Sequence, residues 1–463
     1  MFKIINSHTL LTFVISLSFL MEAVDSTIIN TSIPAISHSL SVEPVDLKIA
    51  LISYFLSLAI FIPISGWLAD KFGSKHIFIT ALCIFTLGSL WCGFAHNLIE
   101  LVVARFVQGL GGALGLPVGR LIIFRTFGKE RLIPMMNRVV TVGALGMMLG
   151  PIIGGFITHH FSWHWIFWVN IPLGCLAIIL AYVCIQDNDR HKVPPIDGLG
   201  FVLFGVGLAG STFGLSALSE TTFSSLVGLG IIALSVFMLM AYIRHSKHRQ
   251  HPIVKIELLK LRTFKVSVVG NLISRLGFGG VPFLLPLLLQ IGLGYPAEES
   301  GMLLAPTAIG VVISKPLYLP LLRIYGYKRL LIANTFLVGL SVWAFITINA
   351  TTPIYVIGVL TFFYGFIVAM QYGLMNSLAY ADIAPEHLSA ASSILGTIQQ
   401  MSQSFSVAVS ALLIRFFSLI YSDNLTHHPI IFQSTFFIIG LITSLSCLFY
   451  MQLKPGDGQQ MIV

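Results

Sequence analysis

Charge is scarce in this chain. Asp, Glu, Lys and Arg together make up 10% of 463 residues, against 56% hydrophobic residues, and the mean hydropathy is +0.91. A water-soluble domain cannot hide so much apolar surface in one core, so the bilayer must be the solvent. Segments alternating apolar and polar residues are also missing, which excludes a transmembrane barrel and leaves helices as the spanning element. Cysteine is sparse: Cys83, Cys92, Cys175, Cys184 and Cys447 all lie in apolar runs and form no CxxC pair. They read as small hydrophobes, neither disulfides nor metal ligands. The sequence shows no Ser/His/Asp set, metal cluster or phosphate loop, so no enzymatic activity is expected. His159, His160 and His164 have no acidic or thiol company, and no metal site is expected from them.

What the chain does have is apolar runs long enough to cross a hydrocarbon core of ~30 Å, which takes ~20 helical residues. About fourteen such runs, from near 9 to 31 through 300 to 322 and 329 to 349 to 430 to 452, predict an all-α polytopic membrane protein. The formal net charge of +8 comes from Lys and Arg gathered in alternate short loops: Lys71 and Lys75; Arg125, Lys129 and Arg131; Arg190 and Lys192; the stretch from Arg244 to Arg262; and Arg323, Lys328 and Arg329. That pattern marks topology, not nucleic-acid binding, and puts those loops and both termini in the cytoplasm. The loop after Tyr380 carries Asp382 and Glu386 but no Lys or Arg. The apolar run after Lys3 continues to about Ile36 and is expected to stay as a span, not to be cleaved as a secretory signal.

The expected organisation is a six-helix bundle over 1–186, two additional spans with their flanking loops over 187–262, and a second six-helix bundle with a short tail over 263–463. A faint repeat supports two related halves. Aligning Leu319–Lys328 with Gly66–Lys75 matches Gly326 to Gly73 and Lys328 to Lys75 at the loop between the second and third spans of each half. Parallel halves of this kind are a transporter architecture.

Several motifs carry chemistry. Gly66 and Gly73 permit close backbone approach and a tight turn, and Asp70 at the end of a span can meet a helix N-terminus or a cation, forming with Lys75 a conformational latch. Arg323 stands at the Asp70 position of the second half, so the latch is expected in the first half alone. In the first span Glu22 and Asp25 are the only carboxylates well inside an apolar run, about one turn apart on one helical face. Two such neighbours cannot easily both ionise, which suits a site that takes up and releases a proton. Arg105, far from the positive loops, needs a counter-charge, for which Asp25 and Glu22 are available; the alternative is snorkelling to the outer surface. Gly146, Gly150, Pro151, Gly154 and Gly155 give the fifth span a smooth, bent face for close packing. The stretch Trp163–Gly174 reads as an outer aromatic belt.

These motifs resemble, in order, the loop signature, the fourth-span arginine motif and the GxxxGPxxGG antiporter motif of the major facilitator superfamily. Asp25–Pro34 and Trp163–Gly174 are similar to the branch with fourteen spans that exchanges drugs for protons. The resemblance covers nearly the whole chain. It implies a proton-coupled antiporter, driven by the proton gradient and without a cofactor, that exports small amphipathic or drug-like compounds across the cell inner membrane by alternating access. A selective exporter of a metabolite or siderophore is the alternative. Asp25, Glu22 and Arg105 would couple the proton, and the expected partners are the substrate, H+ and the lipid bilayer, with the chain a monomer.

Polar residues inside the second-half spans, Asn271, Arg275, Gln371, Asn376, Gln399 and Gln403, together with Asn30 of the first span, could line a substrate cavity. Interhelical hydrogen bonding accounts equally well for any single one. Arg275 and Lys315 lack an acidic partner in their own half, leaving open pairing across the halves or contact with an anionic substrate. Met147, Met148, Met370 and Met375 could add an adaptable apolar surface, with core packing the commoner role for such residues.

Overall fold

The structure is a computed structural model that describes residues 7–127, 129–186, 193–218, 225–384, 387–421 and 428–459. Lys3, Arg190, Lys192 and Glu386, four of the loop and terminal residues singled out above, lie outside the described residues, as do the side chains of Lys129 and Arg131. Among the described residues every regular element is a helix, and thirteen helices are long and apolar enough to cross a membrane. One of these, Ala297–Ala344, has 48 residues, which at ~1.5 Å per residue would reach ~72 Å, far beyond a single crossing. It turns back at Gly326, whose φ of 70° and ψ of 167° lie outside the helical region. The helix is therefore two spans, and the total of fourteen follows.

Local chemistry sets the helix ends. The first span consists of Ser7–Ile28, a tight turn at Ile29–Ser32, and Ile33–Leu40 with Pro34 in its first turn, where a missing N–H does no harm. Lys48–Phe72 stops at Gly73, whose φ of 95° an L side chain would resist, and Ser74–Gly93 begins directly after it. Asn97 caps Leu98–Thr126 by accepting from Glu100 N at 2.9 Å. Asp197 caps Gly198–Ala217 in the same way, accepting from Gly200 N at 3.0 Å.

The chain falls into two compact units, Met1–Ile196 and Asp197–Val463. In the first unit, the first span packs along the helix Lys129–His160, and Leu98–Thr126 packs against both Lys48–Phe72 and Ser74–Gly93. Its core runs from Val14 and Ile15 through Tyr54, Phe78 and Phe85 to Val118 and Ile123. In the second unit, Gly198–Ala217 and Ser225–Ser246, the seventh and eighth spans, pack chiefly on each other. The seventh also meets Leu388–Ile420, and the kinked pair Ala297–Ala344 packs against Ile354–Tyr380 and Pro429–Leu445. A smaller core here joins Phe264 and Val268 to Ala379, Ala391 and Leu395. All five cysteines are free thiols.

Candidate functional site

In the fourth span, Leu98–Thr126, Arg105 and Gln108 are three residues apart and share a helical face. Gly109 and Gly111 allow the neighbouring spans to close on that helix: a Cβ at Gly109 would stand 2.7 Å from Tyr54 O, and one at Gly111 2.5 Å from Phe85 N. The close packing brings both side chains to Asp25. Arg105 Nη1 donates to Asp25 Oδ2 at 2.6 Å. Gln108 Nε2 and Asn170 Nδ2 each donate to Asp25 Oδ1 at 2.8 Å. Gln108 Oε1 in turn accepts from Arg105 Nη1 at 2.7 Å, and Gln108 Nε2 also donates to Ser89 Oγ at 2.6 Å. Asp25, Arg105, Gln108 and Ser89 are all completely buried. Arg105 therefore does not snorkel to a surface. Its Nε and Nη2 have no hydrogen-bond partner, but its Cζ lies 4.2 Å from the Tyr54 ring centroid and 5.7 Å from that of Phe167, so aromatic faces meet the rest of the cation.

Glu22, one turn earlier on the same span, has a different environment. It is buried, yet accepts no hydrogen bond among the described residues, and Arg120 is the cation whose field reaches it. It borders a cavity with about 10 Å³ of room for water centres, lined also by Ser18, Met21, Phe85, Gly112 and Gly115. That is about the space one water molecule needs. Two carboxylates on one face are thus set apart: Asp25 is bound by three donors, and Glu22 opens onto a small cavity.

The same span is held against the fifth by the glycine motif. A Cβ at Gly146 would meet Leu20 O at 2.8 Å, one at Gly150 would run into Thr27, and one at Gly154 would strike Ile28 and Thr31. Gly155 is buried beside them. Thr27 Oγ1 donates to Met147 O and Thr31 Oγ1 to Pro151 O, both at 3.3 Å, and the hydroxyls of Ser32 and Thr158 are 2.6 Å apart. Asn30 is buried in the tight turn between these contacts.

At the loop after the second span, Asp70 forms an ion pair with Arg125, at the end of the fourth span, and both side chains are partly exposed. Gly73 makes the turn. The expected close approach at Gly66 is not found: a Cβ there would meet open space, because this residue lies inside the helix and faces no neighbour. Lys75 stays out of the ion pair, its Nζ 5.1 Å from the Tyr182 ring centroid. The matching turn of the second unit also has a glycine with positive φ, Gly326. There Tyr318 and Tyr327, on either side of the turn, both hydrogen bond to Ser377 of the helix Ile354–Tyr380, the latter at 3.1 Å.

The polar residues of the second unit divide into those with partners and those without. Gln371 accepts from Asn334 Nδ2 at 2.8 Å and donates to Thr335 Oγ1 at 2.7 Å, which makes it an interhelical tie. Gln399 Nε2 donates to Asn376 Oδ1 at 2.7 Å, and Gln403 Nε2 to Gly279 O at 2.8 Å. Asn271 is fully buried with both amide atoms unpartnered, and Arg275 is 9% exposed with its Nε unpartnered. Lys315 is exposed. Met370 and Met375 are packed in the interior, while Met147 is on the outside.

The family model of the Major Facilitator Superfamily matches residues 15–407 and, in a second match, 267–460. The chain belongs to that superfamily. It is 36% identical over 461 residues to the "Probable transport protein HsrA" of Haemophilus influenzae, covering 98% of each chain. It is 33% identical over 449 residues to the "Putative multidrug resistance protein MdtD" of Escherichia coli, covering 96% of this chain and 95% of that one. Solved structures share the fold: a D-xylose-proton symporter (TM-score 0.69, 14% identity, 98% of this chain and 99% of that one) and the peptide-transporter-family member PepTSo (TM-score 0.72, 14% identity, 95% and 97%). The chain is a multi-pass membrane transport protein, not an enzyme.

For a member of this superfamily, the site also depends on residues to which the sequence reading assigned no role. Asn170 sits in the stretch Trp163–Gly174, read as an aromatic belt, and Gln108 three residues after Arg105; both are amides within apolar runs, the signal that could have marked them. Trp163, from the same belt, is buried and stacks on His164 at 3.8 Å, while Trp165 is exposed.

Proposed function

We propose that this transporter is a proton-coupled antiporter that exports small amphipathic or drug-like compounds across the cell inner membrane, its termini in the cytoplasm. The observation that carries the reading is the buried pair of Asp25 and Arg105 beside a second carboxylate, Glu22. A transporter with no use for protons gains little from two carboxylates inside one span. Asp25 is the coupling element, because protonating it would weaken its contacts to the fourth and sixth spans at once. Glu22 is the entry point for the proton, because its cavity has room for one water and no donor competes for its oxygens. Substrate and proton then favour opposite orientations, and the protein alternates between them. The relative named as a multidrug resistance protein supports the direction of transport, as does the glycine motif of the fifth span. A second reading, the selective exporter of a metabolite or siderophore, draws on the unpartnered Arg275 and Asn271.

The test is proton flux in proteoliposomes challenged with a panel of candidate substrates. Flux that starts on substrate addition in the wild type and is absent in Asp25→Asn supports the proposal. Substrate-driven flux of normal size in that variant refutes it.

A further inference from the structure

The second unit contains a cation to which the described residues offer no counter-charge. Arg275 lies in the ninth span, Arg262–Gly292, and its guanidinium makes neither an ion pair nor a hydrogen bond among the described residues. The group facing it is the ring of Tyr372, 4.2 Å from Cζ to centroid. One turn earlier Asn271 holds two more unsatisfied polar atoms. The two acids that meet this helix do so at its start, twelve or more residues from Arg275: Asp382 accepts from Thr263 Oγ1 at 2.7 Å, and Asp457 is paired with Arg262. A buried guanidinium without a partner is strongly unfavourable in a membrane protein, and so is a buried amide without hydrogen bonds. Both faults lie on one face of one helix, four residues apart. The register that sets Gly326 on Gly73 also sets Arg275 on Glu22, so the two halves carry opposite charges at matching positions of their first spans.

We propose that Arg275 and Asn271 bind the carboxylate of the exported compound. The guanidinium presents a planar fork of N–H groups that matches the two oxygens of a carboxylate. Tyr372 covers the face of that fork and leaves its edge for the ligand. Asn271 Nδ2 donates a further hydrogen bond, and Oδ1 accepts one from a hydroxyl or N–H of the same compound. The inference rests on the transport reading and narrows it: the substrate is an amphipathic organic acid, not a hydrophobic cation.

Binding to the purified protein in detergent, with no gradient present, tests this apart from coupling. The probes are 2-naphthoate, its methyl ester and a naphthyl trimethylammonium salt, followed by intrinsic tryptophan fluorescence. The wild type should bind the acid at least about tenfold more tightly than the ester or the cation, since a site built around a charge rejects analogues that leave it unpaired. Arg275→Gln should erase that preference, and Arg275→Lys should keep part of it. Arg275→Gln should also melt no lower than the wild type, because it removes an uncompensated charge; a structural arginine would give the reverse. The proposal is overturned by a wild type that does not prefer the acid, by a preference that survives Arg275→Gln, or by an Arg275→Gln protein of lower stability. Acid preference without proton flux in proteoliposomes would sink the antiport reading alone, and flux without acid preference would sink this inference alone.

Discussion

Thr27 Oγ1 lies 3.3 Å from Met147 O, sharing its one proton between that carbonyl and those of Ala23 and Val24, each at 3.2 Å, and Met147 is the residue whose carbonyl Pro151, four positions on, cannot serve. Proline has no N–H to close that turn of the helix, so the carbonyl needs another donor. The span carrying both buried carboxylates places a shared one within reach. The bend of the fifth span and the position of Asp25, two residues from Thr27, are thus parts of one contact.

Gly150 is where this contact tolerates least change. A Cβ there would run into Thr27 and stand 3.0 Å from Val24 O, so Gly150→Val is expected to lower stability by about 1–3 kcal/mol. Thr27→Val, which removes the hydroxyl and keeps the shape, should lower it by about 1 kcal/mol. Melting in detergent measures both. Proton flux should fall in the glycine variant even where the protein remains folded.

The buried pair should behave as a unit. Removing one partner of a buried ion pair is destabilising by about 3–5 kcal/mol, because the other charge is left alone. Arg105→Gln should therefore lower the melting temperature sharply, while the combined Arg105→Gln and Asp25→Asn protein should recover much of it. Asp25→Asn alone should lie at the mild end, since Gln108 and Asn170 still find an acceptor at that position. Equal and additive losses in a double-mutant cycle would show that the pair contributes nothing as a pair.

Much of this was legible in the sequence. A span is a local property of some twenty residues, so the fourteen crossings could be read from run lengths even where Gly326 joins two of them into one helix. The meeting of Arg105 with Asp25 was legible because a charge inside a membrane needs a partner and few were on offer. Asn170 was hidden because its role depends on tertiary packing: Gly174, one turn later, lets the sixth span close on Thr86 of the third and brings the amide to Asp25. Arg125 was hidden for the opposite reason. The loops at that end hold many cations, and nothing in the spacing selects the one that Asp70 takes. Gly66 misled because a motif glycine was credited with a close approach that the helix makes elsewhere.

Glu22 and Asp25 can be told apart by their proton traffic. With Glu22→Gln the three donors to Asp25 are untouched, so the protein should fold and bind substrate while substrate-driven proton flux falls by at least about tenfold, the lower range of general acid–base contributions. With Asp25→Asn, flux should vanish and the tie of Arg105 to the first span should loosen, which cysteine labelling along the first and fourth spans would record. The same labelling pattern in both variants would mean that the two carboxylates do one job.

The Asp70–Arg125 pair is partly exposed, and such pairs contribute only about 0.2–1 kcal/mol. Asp70→Asn should therefore shift the balance between orientations by about 1.4- to 5-fold without unfolding the protein. Labelling of cavity positions near this loop should rise, and a charge swap of Asp70 and Arg125 should return it towards the wild-type level. No rise in labelling would reduce the pair to an ordinary surface contact.

Arg262 and Asp457 tie the start of the ninth span to the segment after the last one, with Arg262 Nη2 donating to Asp457 Oδ1 at 2.5 Å and Nε to Oδ2 at 3.1 Å. Partial burial opposes the charge on Asp457, but the Arg262 hydrogen bonds and the backbone N–H of Lys454 outweigh it and hold the carboxyl below the ordinary aspartate value. The sign of the pH effect follows. The unfolded chain takes up a proton at Asp457 more readily than the folded one, so the contact adds stability above the free aspartate pKa of about 3.9, and that stability is lost as the pH falls through the lower folded value. Asp457→Asn should thus melt below the wild type at pH 7, and the gap should narrow steadily as the pH is taken below about 4. A gap that stays constant from pH 7 down to pH 3 would assign the loss to packing of the tail and not to the charge of Asp457.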